Sequence, residues 1–216
     1  MPESSCFAIP DGMTLEEAAV SEPLAIGIYG VKKSIPMKGA RIGILGAGPI
    51  GLSVLVPARV QGAERIYVTD RVDERLGFAR RAGATWAGNP DGEDVVKRIL
   101  DFEAGGLDVV FECCGKQEAL DQAMDLLEPG GKVMVIGIPE ADRVSFGVDD
   151  MRRKEVSIQN VRRQVDCVEE ALDAIRRRTY DVGFMVTHRF PLERASEAFE
   201  VVAGYRDGVL KAMIEI

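Results

Sequence analysis

Three glycines, Gly46, Gly48 and Gly51, stand where an apolar run beginning at Arg41 gives way to a helix-like stretch beginning at Pro49. Their spacing is G-x-G-x-x-G, and the context gives each a task. Gly46 permits a tight turn, Gly48 lets the backbone approach a diphosphate with no side chain in the way, and Gly51 allows the helix to pack closely on the strand. Pro49 falls at the first helical position, where its missing N–H costs nothing. The free N–H groups beyond it, at the positive end of the helix dipole, would face an anion. A second apolar run ends at Thr69, and Asp70 follows it roughly 20 positions after the last glycine, the distance at which a carboxylate meets the adenosine ribose of a dinucleotide. A carboxylate accepts from both ribose hydroxyls and repels a 2′-phosphate, so the expected cofactor is NAD rather than NADP. Arg71 works against that choice, because a guanidinium beside this position can take a 2′-phosphate. The plain alternative for the glycines is an ordinary turn; strand, helix and acid together weigh against it. A methyltransferase-like use of the loop for an adenosyl cofactor is disfavoured on the same combination.

Positioning such a loop requires a sheet, and from Arg41 onward short apolar runs alternate with longer amphipathic ones, as in parallel strands joined by crossover helices. Strands are predicted at 41–45, 65–69, 85–87, 108–112, 132–136 and 156–161. Helices are predicted at 72–82, 93–102 and 117–127, with stops at Gly105-Gly106 and at Pro129, Gly130 and Gly131. The fold class is α/β, a doubly wound parallel sheet of the Rossmann type, over residues 37–162. Residues 1–36 and 163–216 flank it. In the first flank, Thr14 and Glu17 form a capping box that starts a helix near Leu15, and Pro23 makes the segment either two helices or one kinked helix. In the second, 168–178 and 192–202 are predicted helical and 209–216 a strand.

Composition narrows the partners. The chain has 216 residues, of which 46% are hydrophobic and 29% charged, so one sizeable core is expected, with or without appendages. A formal net charge of −8 argues against a nucleic-acid binder, which needs clustered cations. The stretch from Ile42 to Ala58 is apolar but broken by glycines and by Pro49 and Pro57, which suits a turn better than a membrane span. No signal sequence or repeat is visible. Cys6, Cys113, Cys114 and Cys167 lack paired metal-ligand spacing and are expected to be reduced thiols of a cytoplasmic protein.

With these residues in view the chain resembles the zinc-containing medium-chain alcohol and polyol dehydrogenases, in their sorbitol, xylitol and threonine dehydrogenase branch. Besides the glycine loop, the resemblance rests on residues 9–13, 21–24, 68–70, 112–115, 130–132 and 186–192 and covers nearly the whole chain. It implies that Glu22 lies at a catalytic zinc, that Ile50, Asp70 and Arg75 contact pyrophosphate and adenosine, and that Ile136, Gly137 and Ile138 meet the nicotinamide. Val161, Arg162 and Arg163 would close over the cofactor, and Arg163 would also reach the substrate. The plain alternatives are core packing for Ile136 and Ile138 and a solvated surface pair for Arg162 and Arg163.

The resemblance also exposes departures. Relatives begin with a GroES-like catalytic domain that supplies cysteine and histidine to zinc, and no such ligand set is found here. The one histidine, His188, is expected to be structural, so no metal residue is predicted, and zinc belongs only to the complete enzyme. Zinc there stabilises the alkoxide from which hydride leaves, so this chain alone is expected to bind NAD without turning over an alcohol or polyol. The alternative is a non-catalytic, NAD-responsive binding module. Pro57 is expected to bend the helix after the glycine loop. Cys114 replaces the small residue, often threonine, usual before the glycine, and is either a packed, bland cysteine or an oxidisable thiol. Flanks that in relatives pack on the catalytic domain should leave apolar surface uncovered. A strand at 143–148 that extends the sheet across a two-fold axis implies a homodimer.

Overall fold

A computed structural model describes residues 2–215. Six parallel strands, β1 (Arg41–Leu45), β2 (Arg65–Thr69), β3 (Trp86–Gly88), β4 (Leu107–Glu112), β5 (Leu127–Val135) and β6 (Ser157–Asn160), form one sheet in the order β3-β2-β1-β4-β5-β6. The chain therefore reverses direction across the sheet between β1 and β4, the topological switch point at which such sheets bind ligands beyond their carboxyl ends. The doubly wound prediction holds.

Among the described residues eight α-helices accompany the strands: α1 (Leu15–Lys33), α2 (Pro49–Val60), α3 (Asp73–Ala82), α4 (Val95–Phe102), α5 (Gln117–Leu126), α6 (Val148–Arg153), α7 (Val168–Arg176) and α8 (Ala195–Ala203). Alternation along the strands divides the core. Ile42 and Ile44 of β1, with Ile66 and Val68 of β2, face the side covered by α1, α2, α3 and α7. Leu45 and Tyr67 face the other side, against Ile99 of α4 and Leu120 and Ala123 of α5. A two-stranded parallel unit, β7 (Val186–Pro191) with β8 (Lys211–Glu215), carries α8 on a small core of Phe190, Ala198, Val201 and Val209.

The N-terminal flank is part of this packing. The Thr14 side chain accepts from the Glu17 N–H while the Glu17 carboxylate accepts from the Thr14 N–H, the expected capping box. From there α1 runs as one helix through Pro23, which settles the choice left open by that proline. Its residues Val20, Leu24, Ala25, Ile28 and Val31 are buried in the same core as β1 and α2.

Several expectations change in detail, among them the stop predicted at Pro129, Gly130 and Gly131, which lie within β5. α2 runs from Pro49 to Val60 with Pro57 inside it, so the helix is not ended by the proline at which a bend was expected. Pro57 sits in the last turn and orphans only the Ser53 carbonyl, which lies against the Cα of Gly27 on α1. Residues 143–147 form no strand within the chain, and Val148 opens α6 instead. The Gln117 side chain imitates a strand neighbour to this segment, accepting from the Ser145 N–H at 2.9 Å and donating to its carbonyl at 2.8 Å. β7 was not anticipated as a strand, and the C-terminal strand begins at Lys211 rather than Val209. Ile216, included in the predicted strand, lies outside the described residues.

Candidate dinucleotide site

The site grows from the ends of β1 and β2. The Gly46 N–H donates to the Thr69 carbonyl at 2.8 Å, which carries the chain out of β1 alongside β2, and Gly46 takes φ of +102°, a conformation costly to any side chain. Gly48 caps α2 and Pro49 is its first residue, as the spacing predicted. A Cβ at Gly51 would lie 1.8 Å from the Gly46 carbonyl oxygen, so helix and turn touch backbone to backbone. Above Gly48 there is room: a Cβ there would meet only an Arg75 Nη atom, at 3.7 Å. The result is an open cradle walled by backbone, with helix-terminal N–H groups at its floor. Ile50 is half-buried and packs towards the core.

Asp70 holds the cradle in place. Its Oδ2 accepts from the Ala47 N–H at 2.7 Å and its Oδ1 from the Val72 N–H at 2.8 Å, so the carboxylate ties the glycine turn to the start of α3. Its further lone pairs are available to hydroxyl donors. Arg71 is exposed and ion-paired with Asp91. Arg75 is buried; its Nε and Nη2 donate to the Val209 carbonyl at 3.3 and 3.1 Å, and its guanidinium lies 4.9 Å from the Tyr205 ring centre. The segment leading into β8 is thereby fastened beside the cradle.

The opposite wall comes from the ends of β4 and β5. The Cys113 N–H donates to the Leu45 carbonyl at 2.8 Å, and the Cys114 Cβ would stand 3.3 Å from a Cβ at Gly46. Glu112 is fully buried, and its Oε1 accepts from the Cys114 N–H at 2.8 Å and the Gly115 N–H at 2.6 Å. Its Oε2 is buried without a partner among the described residues and faces Gly137, where a Cβ would come within 2.6 Å of it. The N–H groups of Ile136 and Gly137 both reach the Glu112 carbonyl, at 2.9 and 3.0 Å. A carboxylate closing an apolar strand was the signal available in the sequence for Glu112, and it received no role there. Ile136 is buried against Gly30 of α1, whereas Ile138 is 89% exposed. The Val161 N–H continues the sheet to Val135 at 2.8 Å. Arg162, Arg163 and Glu22 are exposed, and Arg163 takes φ of +52°.

Although Cys114 is exposed at the surface, desolvation of its thiol by neighbouring atoms, and then the Glu112 carboxylate, push it up to about 12. Cys6 is exposed as well, but at pH 8 the raised pKa leaves Cys114 roughly one thiolate in ten thousand, so iodoacetamide should alkylate Cys6 well before Cys114. Peptide mapping after a short pulse at pH 8 reads this, and fast labelling of Cys114 would refute the desolvated setting.

Metal chemistry finds no such support. Among the described residues no group of three or more His, Cys, Asp or Glu side chains is placed to hold a metal ion. The half-buried His188 has its Nδ1 2.9 Å from the Thr187 hydroxyl, and its ring stacks on Phe190.

Residues 49–177 match the family model described as zinc-binding dehydrogenase. The chain belongs to the zinc-binding dehydrogenase family. Across the whole chain it is 35% identical to the zinc-type alcohol dehydrogenase-like protein YdjJ of Escherichia coli K12, and across 97% of it 32% identical to the sorbitol dehydrogenase of Mus musculus. A solved structure described as a zinc-binding dehydrogenase from Sinorhizobium meliloti 1021, bound to NADP, superposes on the full chain with a TM-score of 0.92 at 28% identity. The chain spans 62%, 59% and 64% of the length of these three family members. Among the described residues no ligand set fits a zinc ion, whereas the glycine cradle and the carboxylate beside it fit a dinucleotide.

Proposed function

We propose that this chain is the NAD-holding part of a dehydrogenase acting on an alcohol or polyol. One observation carries the reading: the open backbone cradle at Gly48, at the switch point of the sheet, with Asp70 fastened beside it. In this reading Gly46, Gly48, Pro49, Ile50 and Gly51 take the diphosphate, Asp70 the adenosine ribose, and Arg71 and Arg75 flank the adenosine side. Cys114, Ile136, Gly137 and Ile138 form the nicotinamide end. Val161, Arg162 and Arg163 lie over the cofactor, with Glu22 and Arg163 turned to the substrate. When bound, the nicotinamide ring accepts or returns the hydride. The chain's own contribution is to bind and orient it: N–H groups of α2 neutralise the diphosphate, and Asp70 selects an unphosphorylated ribose.

Residues 37–162 form the dinucleotide-binding domain in this reading, beside flanks 1–36 and 163–216, with α1 and α7 sharing its core. A cytoplasmic setting accords with four free cysteines, and no helix among the described residues is long and apolar enough to cross a membrane. The exposed Val144 and Val148, beside the segment held by Gln117, support a homodimer through that edge; a purely monomeric sedimentation profile at micromolar concentration would contradict it.

Calorimetric titration is expected to show NAD binding, weakened about 10- to 100-fold by Asp70→Ala, since bonds to a charged group are worth about 1.5–3 kcal/mol. With NAD, added zinc and sorbitol, xylitol or threonine, the chain is expected to give no turnover, because its described residues assemble no metal-ligand set to stabilise an alkoxide. Absence of NAD binding defeats the first expectation, and sustained turnover the second.

A further inference from the structure

Arg71 occupies the position from which a guanidinium could grip the 2′-phosphate of NADP, directly after the ribose carboxylate Asp70. Its Nε instead donates to Asp91 Oδ2 at 2.8 Å. Asp91 is held there by a small network. Asn89 accepts from the Asp91 N–H at 2.9 Å through Oδ1, and its Nδ2 donates to the Arg71 carbonyl at 3.1 Å and to Asp73 at 2.9 Å. The Asp70 N–H, in turn, donates to the Gly88 carbonyl at 3.3 Å, so the loop after β3 is fastened to the turn after β2. The Arg71 guanidinium is thus paired with Asp91, while Asn89 ties the Arg71 backbone to Asp73 and Asp91. Asp70 repels a 2′-phosphate directly, but its effect would be offset by a free Arg71.

We propose that Asp91 is a positioning residue for cofactor choice: by engaging Arg71 it converts a potential 2′-phosphate clamp into a neutral pair, and the chain discriminates against NADP. The proposal rests on the dinucleotide reading above. It also explains how Arg71 and an NAD preference coexist, the conflict that the sequence alone left standing. Because a family member with the same fold is bound to NADP, local side chains and not the sheet must decide the choice.

The test is the ratio of NADP to NAD dissociation constants, measured by titration on the full chain for wild type, Asp91→Asn, Arg71→Ala and the double variant. Both positions are exposed, so folding is preserved. Asp91→Asn is expected to lower the ratio about threefold or more, the scale on which an exposed ion pair acts. In the double variant the ratio should return to that of Arg71→Ala alone. A smaller fall, a rise, NADP binding too weak to register in either protein, or an equal fall in the double variant would each overturn the role of Asp91. If wild type binds NAD and the ratio does not move, only this proposal fails. If wild type binds neither dinucleotide, the reading beneath it fails as well.

Discussion

Gly51→Ala should cost about 3 kcal/mol of stability or more and weaken NAD binding at least about tenfold. The added methyl would stand 1.8 Å from the Gly46 carbonyl oxygen and 3.0 Å from its carbon, both backbone atoms of a turn with no slack. Overpacking of this kind costs about 1–3 kcal/mol when side chains can yield, and here none can. Relief requires α2 to slide away from the turn, which misaligns the N–H groups offered to the diphosphate; each such charge-assisted bond is worth about 1.5–3 kcal/mol. Gly48→Ala is the matched comparison. Its methyl would meet only Arg75 Nη at 3.7 Å, so the fold should lose no more than about 1 kcal/mol, the cost of a poorer cap. The methyl would still stand in the diphosphate's path, so affinity falls while the melting temperature barely moves. Thermal melts and NAD titrations on both variants separate the two effects. A Gly51→Ala protein that melts and binds like wild type would refute the backbone contact.

Gly27→Ala should be the most damaging single-methyl change far from the cradle. A Cβ there would lie 1.9 Å from the Ser53 carbonyl oxygen and 2.7 Å from the Val54 nitrogen, where α1 crosses α2. The crossing is close because Pro57, lacking an N–H, leaves the Ser53 carbonyl free to face another helix. A loss of about 3 kcal/mol is expected, which for a chain of this length lowers the melting temperature by about 6–12 °C. Gly30→Ala, one turn along, provides the control. Its Cβ would press on the tip of the Ile136 side chain at 2.8 Å, which can rotate away, so about 1 kcal/mol is expected. If the two variants melt alike, α1 does not approach α2 as closely as described.

Much of the fold and the cradle was legible in the sequence because the signals are local. The capping box at Thr14 places the first residue of α1 at Leu15, and the strand boundaries of β1 and β2 fall where the apolar alternation stops. Gly48 and Pro49 cap and open α2, as their conformational limits demand. Less legible were the ends of elements that lean on distant partners. The strand at 143–148 was implied by the resemblance alone, yet the neighbour that residues 143–147 find among the described residues is a glutamine side chain. β7 was missed because its polar and charged residues do not alternate cleanly and its partner follows a whole helix later.

Local composition and spacing determined that a parallel sheet would carry a glycine turn between its first strand and the following helix, because turns, caps and strand periodicity depend on residues within a few positions of one another. Only the tertiary structure decided how the site is braced. The grip of Arg75 on Val209, the pairing of Arg71 with Asp91, the Glu112 carboxylate beneath the opposite loop and the contact of Gly27 with Ser53 join residues brought together by the path of the backbone. A carboxylate or a glycine reads the same in sequence whether it meets solvent or a buried neighbour, and its energy differs by several kcal/mol between the two.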